Sequence, residues 1–363
     1  MKRKKYKVGI LGATGMVGQR FIALLENHPW FKVVVVAASP RSAGKEYGEA
    51  VSGTWKMQEK IPTSLGNLIV QSVVDDKEKI TESVDFVFCA LDLDKETIQK
   101  IEESYAARGV PVVSNNSAHR WTEDIPMFIP EVNAHHADLI PVQQKKRGWK
   151  KGFIAVKPNC SIQSYSIILT ALREFQPKQV QVTSLQAISG AGKNFETWPE
   201  MIDNVIPLIG GEEEKSEKEP MKIWGTIKED VLVSAIQPSI SATCIRVPVA
   251  DGHMASVSVS FAKRPTKEQL LQAIENFNKN HALVSLDLPS SPTKLIKYFA
   301  EENRPQTKLD RDYGNGMGIT MGRLREDTHF DYSFIALSHN TIRGAAGGAI
   351  LAAELLVKKG YIA

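Results

Sequence analysis

A chain of 363 residues is long enough for about two domains of ordinary size. Its composition, 42% hydrophobic and 24% charged, is that of an ordinary globular protein and excludes wholesale disorder. Lys plus Arg number 45 against 41 Asp plus Glu; a formal net charge of +4 gives no electrostatic case for a nucleic-acid or membrane partner and leaves small molecules as the expected ligands.

The basic start, Met1 to Lys7, ahead of an apolar stretch imitates a signal peptide. Glycines break that stretch, however, and it runs into Gln19 and Arg20 without a small-residue cleavage site, so a cytoplasmic protein is expected. No run reaches the roughly 18 apolar residues of a membrane span, and the nearest, Gly344 to Val357, carries Glu354. Lys7 to Leu11 reads as a strand. The turn Gly12-Ala-Thr-Gly15-Met-Val-Gly18 then leads into a helix through Glu26, with Val17, Phe21, Leu24 and Leu25 at helical spacing, and Val33 to Ala38 is a second strand. Strand Asp85 to Leu91, helix Lys95 to Ala106 and strand Val110 to Val113 continue the alternation of a parallel, helix-covered sheet. Residues 1–155 are therefore expected to form a Rossmann-like, doubly wound domain.

A polar, lysine-rich patch, Gln143 to Lys151, and strand Phe153 to Val156 precede Pro158-Asn159-Cys160, where the domain boundary is placed. Residues 156–343 are expected to form a second, α+β domain. It reads as helix Ile162 to Phe175, strand Gln179 to Ala187, a charged helix from Gly211, strands Ala242 to Val249 and Met254 to Phe261, a long connection from Pro289 to Met317, and strand Asp331 to Leu337. The alanine-rich helix Ala345 to Val357 is expected to return to the first domain, which takes in residues 344–363.

The turn through Gly12, Thr14, Gly15, Met16 and Val17 sits between a strand and a helix, where glycines let the backbone approach a pyrophosphate and the helix N–H groups point at it. The same spacing also marks plain turns; the placement favours dinucleotide binding. At the end of the second strand, where an NAD site would carry an acidic residue, the chain has Ser39-Pro40-Arg41-Ser42, which favours the 2′-phosphate of NADP over an ordinary solvated loop. The three cysteines are too scattered for disulfides or a metal knuckle, so no metal is expected. Cys89 and Cys244 lie in apolar strands, whereas Cys160 precedes a helix whose N-terminus would lower its pKa and make it a nucleophile. Among the histidines, His253 sits at a loop between two strands and is the candidate base; His28, His135, His136 and His281 read as surface residues.

These motifs, in order, resemble the aspartate-β-semialdehyde dehydrogenases of the archaeal and fungal type. They are the glycine turn, Pro158-Asn-Cys160, Gln186-Ala-Ile-Ser-Gly-Ala-Gly192, Arg246 with His253, and Ser338-His-Asn-Thr-Ile-Arg-Gly-Ala-Ala-Gly347. The resemblance runs nearly end to end. It implies an NADP-dependent oxidoreductase that interconverts L-aspartate-4-semialdehyde plus inorganic phosphate with L-4-aspartyl phosphate, in lysine, threonine and methionine biosynthesis, as a homodimer or homotetramer. It further implies that Cys160 is the nucleophile, His253 the general acid/base and Gln186 the residue that orients the acyl group. By the same resemblance Arg246 binds the substrate carboxylate and Glu212 the ammonium, while Lys215, Arg120 and Asn159 form the phosphate site. Ser189, Gly190, Gly192 and Asn340 would lie near the nicotinamide. By the residues alone, Glu212 to Glu219 would be a solvated, salt-bridged face. One departure stands out, since after Gly192 the family commonly continues aromatic-Pro-Gly where this chain has Lys193-Asn-Phe-Glu-Thr-Trp198. The alternatives are a malonyl-CoA reductase-like acyl-CoA reductase, an N-acetyl-glutamyl-phosphate reductase, or a non-catalytic NADP-binding sensor. Glu212 and Lys215 argue against the first two, and the joint presence of Cys160, Gln186, Arg246 and His253 against the last.

Overall fold

The computed structural model describes residues 5–363; of the basic start, residues 1–4 lie outside the described residues. Six parallel strands build the first sheet: β1 (Tyr6–Leu11), β2 (Phe31–Ala38), β3 (Gln71–Ser72), β4 (Phe86–Cys89), β5 (Val112–Ser114) and β6 (Ile154–Val156). Their order, β3-β2-β1-β4-β5-β6, reverses between β1 and β4, and ligands of such sheets bind outside the carboxyl ends of the strands at that reversal. Helix α1 (Met16–Leu25) covers one face, Lys77–Ser83 as α2 and Lys95–Ala107 as α3 the other. Both strands and helices follow from the pattern: β1 buries Val8, Ile10 and Leu11, and α1 buries Phe21, Ile22 and Leu25 along one stripe.

The patch from Gln143 to Lys151 begins inside helix α4 (Leu139–Arg147), which ends at Gly148; within it Gln143 is fully buried and donates to the carbonyls of Asp124 and Ile154. Beyond β6 the expected long helix is α5 (Gln163–Ala171), followed by a separate 3₁₀ turn, Arg173–Phe175. The second sheet is mixed, with order β10-β7-β11-β14-β13-β12. Its strands are β7 (Pro177–Gln186), β10 (Ser239–Arg246), β11 (His253–Phe261), β12 (Ile296–Phe299), β13 (Ile319–Glu326) and β14 (Tyr332–Ser338). A small hairpin, β8 (Thr226–Lys228) with β9 (Val231–Val233), follows helix α6 (Glu212–Ile223).

Three expectations are corrected here. The connection from Pro289 to Met317 contains β12 and a helical turn, Thr307–Asp310, with Asn278 bonding both backbone groups of Ile296 to fix the strand. Helix α7 (Lys267–Asn280) and β13 were not anticipated, although Thr266 and Gln269 form a reciprocal capping box at the start of α7. His28, His136 and His281 are buried: His28 bonds Glu354, and His136 bonds Asn133 and the Gly225 carbonyl; only His135 of the four is exposed. The closing helix, α8 (Gly347–Lys358), packs into the core on the α1 face of the first sheet. No helix among the described residues is long and apolar enough to cross a membrane.

Candidate active site

The carboxyl ends of the first sheet present the glycine turn after β1, Ala90 to Asp92 after β4, Asn115 and Asn116 after β5, and Cys160 after β6. Gly12 has φ +87°, and a Cβ on it would fall 2.3 Å from the Ala90 carbonyl oxygen; a Cβ on Gly18 would fall 2.1 Å from that of Gly12. The first glycine therefore makes the turn and the third lets α1 pack against it, while a Cβ on Gly15 would meet only the Gly12 carbonyl oxygen, at an ordinary contact distance of 3.6 Å. No side chain caps α1, so its first N–H groups stay available to an anion. A cavity of about 230 Å³ lined by Gly12, Thr14, Gly15, Ser39 and Pro40 adjoins one of about 580 Å³ lined by Thr14 to Val17, Asn115, Asn116 and Gly190 to Gly192. Both are walled by Gly15, Ala90, Leu91 and Asp92, so they form one trough from Ser39 and Pro40 to Gly190–Gly192; Arg41, exposed, and Ser42, half-buried, follow in the chain just beyond its outer end. An extended dinucleotide fits this cradle.

The second sheet supplies the other wall. Gln186 ends β7, Arg246 ends β10 in register with it, and His253 starts the antiparallel β11 opposite Ser338, so one sheet edge carries all three side chains. His253 Nε2 lies 3.5 Å from Cys160 Sγ. Gly190 covers this pair: a Cβ there would come within 2.9 Å of Arg246 Nη1 and 3.1 Å of His253 Nε2. Gly344, at the start of the last helical segment, is equally constrained, because its Cβ would fall 2.7 Å from that of Cys160. Asn340 is buried and braces the turn, donating to Ser189 Oγ at 2.8 Å and accepting from the Gly252 N–H at 2.8 Å.

Glu212 is the hub of the polar side. Oε1 accepts from Asn159 Nδ2 at 3.0 Å and from Lys215 Nζ at 2.7 Å, and Oε2 from Gln186 Nε2 at 3.4 Å. The acidic run is thus only partly a solvated face. Glu214 and Lys218 pair in solvent, Glu213 and Glu217 accept from β10 N–H groups, and the stripe of Glu212, Lys215, Glu219 and Lys222 turns inward. Arg120 is held by this stripe: Nη1 bonds Glu219 at 2.9 Å, Nε bonds the Lys157 carbonyl and Nη2 that of Asn115, leaving one N–H on each Nη. Glu219 also accepts the Asn159 N–H at 2.6 Å, so it ties the cysteine loop to α6. Glu219, Lys222 and Lys157 were not foreseen, although the spacing from Glu212 to Glu219 and Lys222 places them on one helix face.

The Cys160 thiol corrects the expectation of a lowered pKa. Burial pushes it up, Glu212 pushes it up further, and the cations Lys157, Arg120 and Arg246 only partly offset this. Cys160 also stands outside α5, whose N-cap is Ile162, so the helix dipole acts on it weakly. Burial together with Arg120 lowers the Lys157 ammonium to about 7, and burial leads Arg246 downward as well. The segment after Gly192 closes on itself: Asn194 and Thr197 cap one another and Lys193 stacks on Trp198 with its Nζ 4.3 Å from the ring centre.

A dinucleotide cradle facing a cysteine and a histidine across two sheet edges defines the semialdehyde dehydrogenase class. Residues 7–140 match the semialdehyde dehydrogenase NAD-binding domain, and residues 169–343 the semialdehyde dehydrogenase dimerisation domain. The chain is 44% identical to the aspartate-semialdehyde dehydrogenase of Archaeoglobus fulgidus, over 99% of this chain and 100% of that protein. It is 42% identical to that of Aspergillus fumigatus, over 99% of each. A crystal structure of aspartate semialdehyde dehydrogenase with NADP from Candida albicans superposes with a TM-score of 0.86 at 38% identity, covering 99% of this chain and 100% of that one. The chain belongs to the aspartate-semialdehyde dehydrogenase family.

Proposed function

We propose that this chain is an NADP-dependent oxidoreductase that interconverts L-aspartate-4-semialdehyde plus inorganic phosphate with L-4-aspartyl phosphate, serving lysine, threonine and methionine biosynthesis. The reading rests above all on Cys160 Sγ lying 3.5 Å from His253 Nε2, which packs against Gly190 in the wall of the dinucleotide trough. NADP, when bound, exchanges a hydride with the carbon that Cys160 holds. Gly12, Thr14, Gly15, Met16 and Val17 would receive the pyrophosphate, Ser39, Arg41 and Ser42 the 2′-phosphate, and Ser189, Gly190 and Gly192 the nicotinamide end, with Asn340 steadying Ser189.

Cys160 attacks the acyl phosphate, the carbonyl carbon passes from oxygen to sulfur, and a thioester stays on the enzyme. Gln186 steadies the acyl group beside Glu212, which receives the ammonium, and Arg246 receives the carboxylate. Lys215 and Asn159 receive phosphate; Arg120 contributes its charge and its two remaining N–H groups from beneath. We take residues 1–155 with 344–363 as the NADP domain and 156–343 as the catalytic and dimerisation domain of a cytoplasmic homodimer or homotetramer.

Replacing Cys160 by Ala is expected to abolish phosphate-dependent NADP reduction with L-aspartate semialdehyde while NADP still binds, checked by turnover and by cofactor fluorescence titration. Unchanged turnover would remove the mechanism. Offering malonate semialdehyde with coenzyme A in the same assay separates the acyl-CoA reductase alternative.

A further inference from the structure

Lys157 is an ionisable residue with almost no water and almost no partner. It is 3% exposed, and its stem lies along the start of α8, where a Cβ on Gly348 would fall 3.4 Å from its Cδ and Cε. Its Nζ donates to the Pro158 carbonyl, so the side chain turns back onto the Pro158-Asn159-Cys160 loop. Gly344, four positions before Gly348, makes the same room for Cys160, and the nucleophile and the lysine thus pack against one glycine-lined segment. No carboxylate forms an ion pair with Lys157 among the described residues: Glu219 attracts it, yet divides its oxygens between Arg120 and the Asn159 N–H. An ammonium buried in this way is costly, and such groups concentrate at functional sites, where an anion has to be met. The anion at hand is the ionised sulfur of Cys160, three residues on. We propose that Lys157 is a positioning residue for the nucleophile, a buried counter-charge that stabilises the Cys160 thiolate without touching substrate.

This inference rests on the cysteine chemistry proposed above and leaves the acid and base role with His253. The charged groups around the pair act in known directions. On the lysine, burial, then Arg120 and Arg343, favour the neutral amine and bring its pKa to about 7, while Cys160 and Glu219 favour the ammonium. On the thiol, burial and Glu212 oppose ionisation, and Lys157 leads the cations that favour it, ahead of Arg120 and Arg246. Those two guanidiniums are committed elsewhere: Arg120 to Glu219, and Arg246 to the Ala187 carbonyl and, in the proposed complex, to the substrate carboxylate. Lys157 alone of the three keeps its charge for the sulfur. The two groups titrate together, because a thiolate holds the lysine proton in place and the lysine proton in turn favours the thiolate. His253 then takes the proton of a thiol whose ionised form is already balanced by a charge.

The same charge works against the fold. The unfolded chain holds the lysine proton up to its ordinary pKa of 10.5, the folded chain only to about 7. Folding therefore gains as the pH rises through that interval and carries the full penalty below about pH 7. A side chain kept only for its packing would carry no such penalty.

Two replacements in the full-length protein separate charge from packing. Lys157→Met keeps an unbranched stem and removes the charge, and Lys157→Gln removes the charge but keeps an N–H donor. In both, alkylation of Cys160 by iodoacetamide at neutral pH, corrected for the background left in Cys160→Ala, is expected to run about threefold to tenfold slower, with its pH–rate curve displaced to higher pH. In urea, the midpoint of Lys157→Met is expected to lie above that of the unaltered protein at about pH 6, with the gap closing toward about pH 9. An unaltered alkylation rate in either variant would overturn the proposal. A midpoint lowered equally at both pH values would overturn it as well, because slower alkylation would then follow from a distorted loop. Should Lys157→Met fail to fold, Lys157→Gln decides the question by the same alkylation measurement. Alkylation reads the sulfur without substrate, so failure of the thioester reading itself would appear separately, as unchanged turnover in Cys160→Ala.

Discussion

A carboxylate near a thiol disfavours the thiolate, and Glu212 does this to Cys160 while its oxygens receive Asn159, Lys215 and Gln186. The same charge that would hold the substrate ammonium thus adds to burial in disfavouring the resting thiolate, and an incoming ammonium would relieve its share by neutralising it. Removing the charge separates the two consequences. In Glu212→Gln the thiol pKa falls, so alkylation of Cys160 by iodoacetamide at neutral pH is expected to run about threefold to tenfold faster, with its pH–rate curve displaced to lower pH. Turnover of L-aspartate semialdehyde falls in the same variant, because the ammonium loses its partner. Unchanged alkylation would mean that the Glu212 charge does not reach the sulfur.

Helix α6 couples three surroundings through its periodicity: solvent at Glu214 and Lys218, the β10 edge at Glu213 and Glu217, and the cysteine loop at Glu212 and Glu219. Glu219 is fully buried and divides its oxygens between Arg120 Nη1 and the Asn159 N–H. Replacing it by Gln turns an N–H₂ toward one of two donors and leaves the buried guanidinium without a counter-charge, at a cost of about 3 kcal/mol. Urea unfolding should record that loss, and a change below about 0.5 kcal/mol would show that the pair is dispensable. Apolar alternation and the glycine turn made the first sheet legible in the sequence, because both are local patterns. What escaped was set by distant chain segments. Glu219 finds Arg120 across 99 positions, His28 finds Glu354 across 326, and the raised thiol pKa of Cys160 comes from burial beneath elements far along the chain. The capping box of α7 was local and readable; β12 and β13 were hidden by the prolines, glycines and charges around them.

One end strand of the second sheet, β10, lies like the other, β12, inside the region that matches the dimerisation domain, and an end strand needs cover. Around it large apolar side chains stand in solvent. Ile202 and Leu208 are each 62% exposed on the segment that reaches the end of β10 through the Ile206–Arg246 bridge, and Ile236, 90% exposed, lies just before its start. Val205, Val231 and Val233 are exposed as well. A second copy of the chain is the occupant we expect. Two such flanks brought together would remove apolar surface from water at about 25 cal/mol per Å², enough for stable association over a standard interface of roughly 800 Å² per partner. A charge at each end of that strand's flank reverses the sign, since a carboxylate buried without a partner costs several kcal/mol. The double variant Leu208→Glu with Ile236→Glu is therefore expected to sediment as a monomer at micromolar concentration, where the unaltered protein is expected to sediment as a dimer or tetramer, with its circular dichroism unchanged. An unaltered sedimentation coefficient would move the interface away from β10, whereas loss of both mass and turnover would tie the placement of Arg246, bridged to Ile206, to assembly.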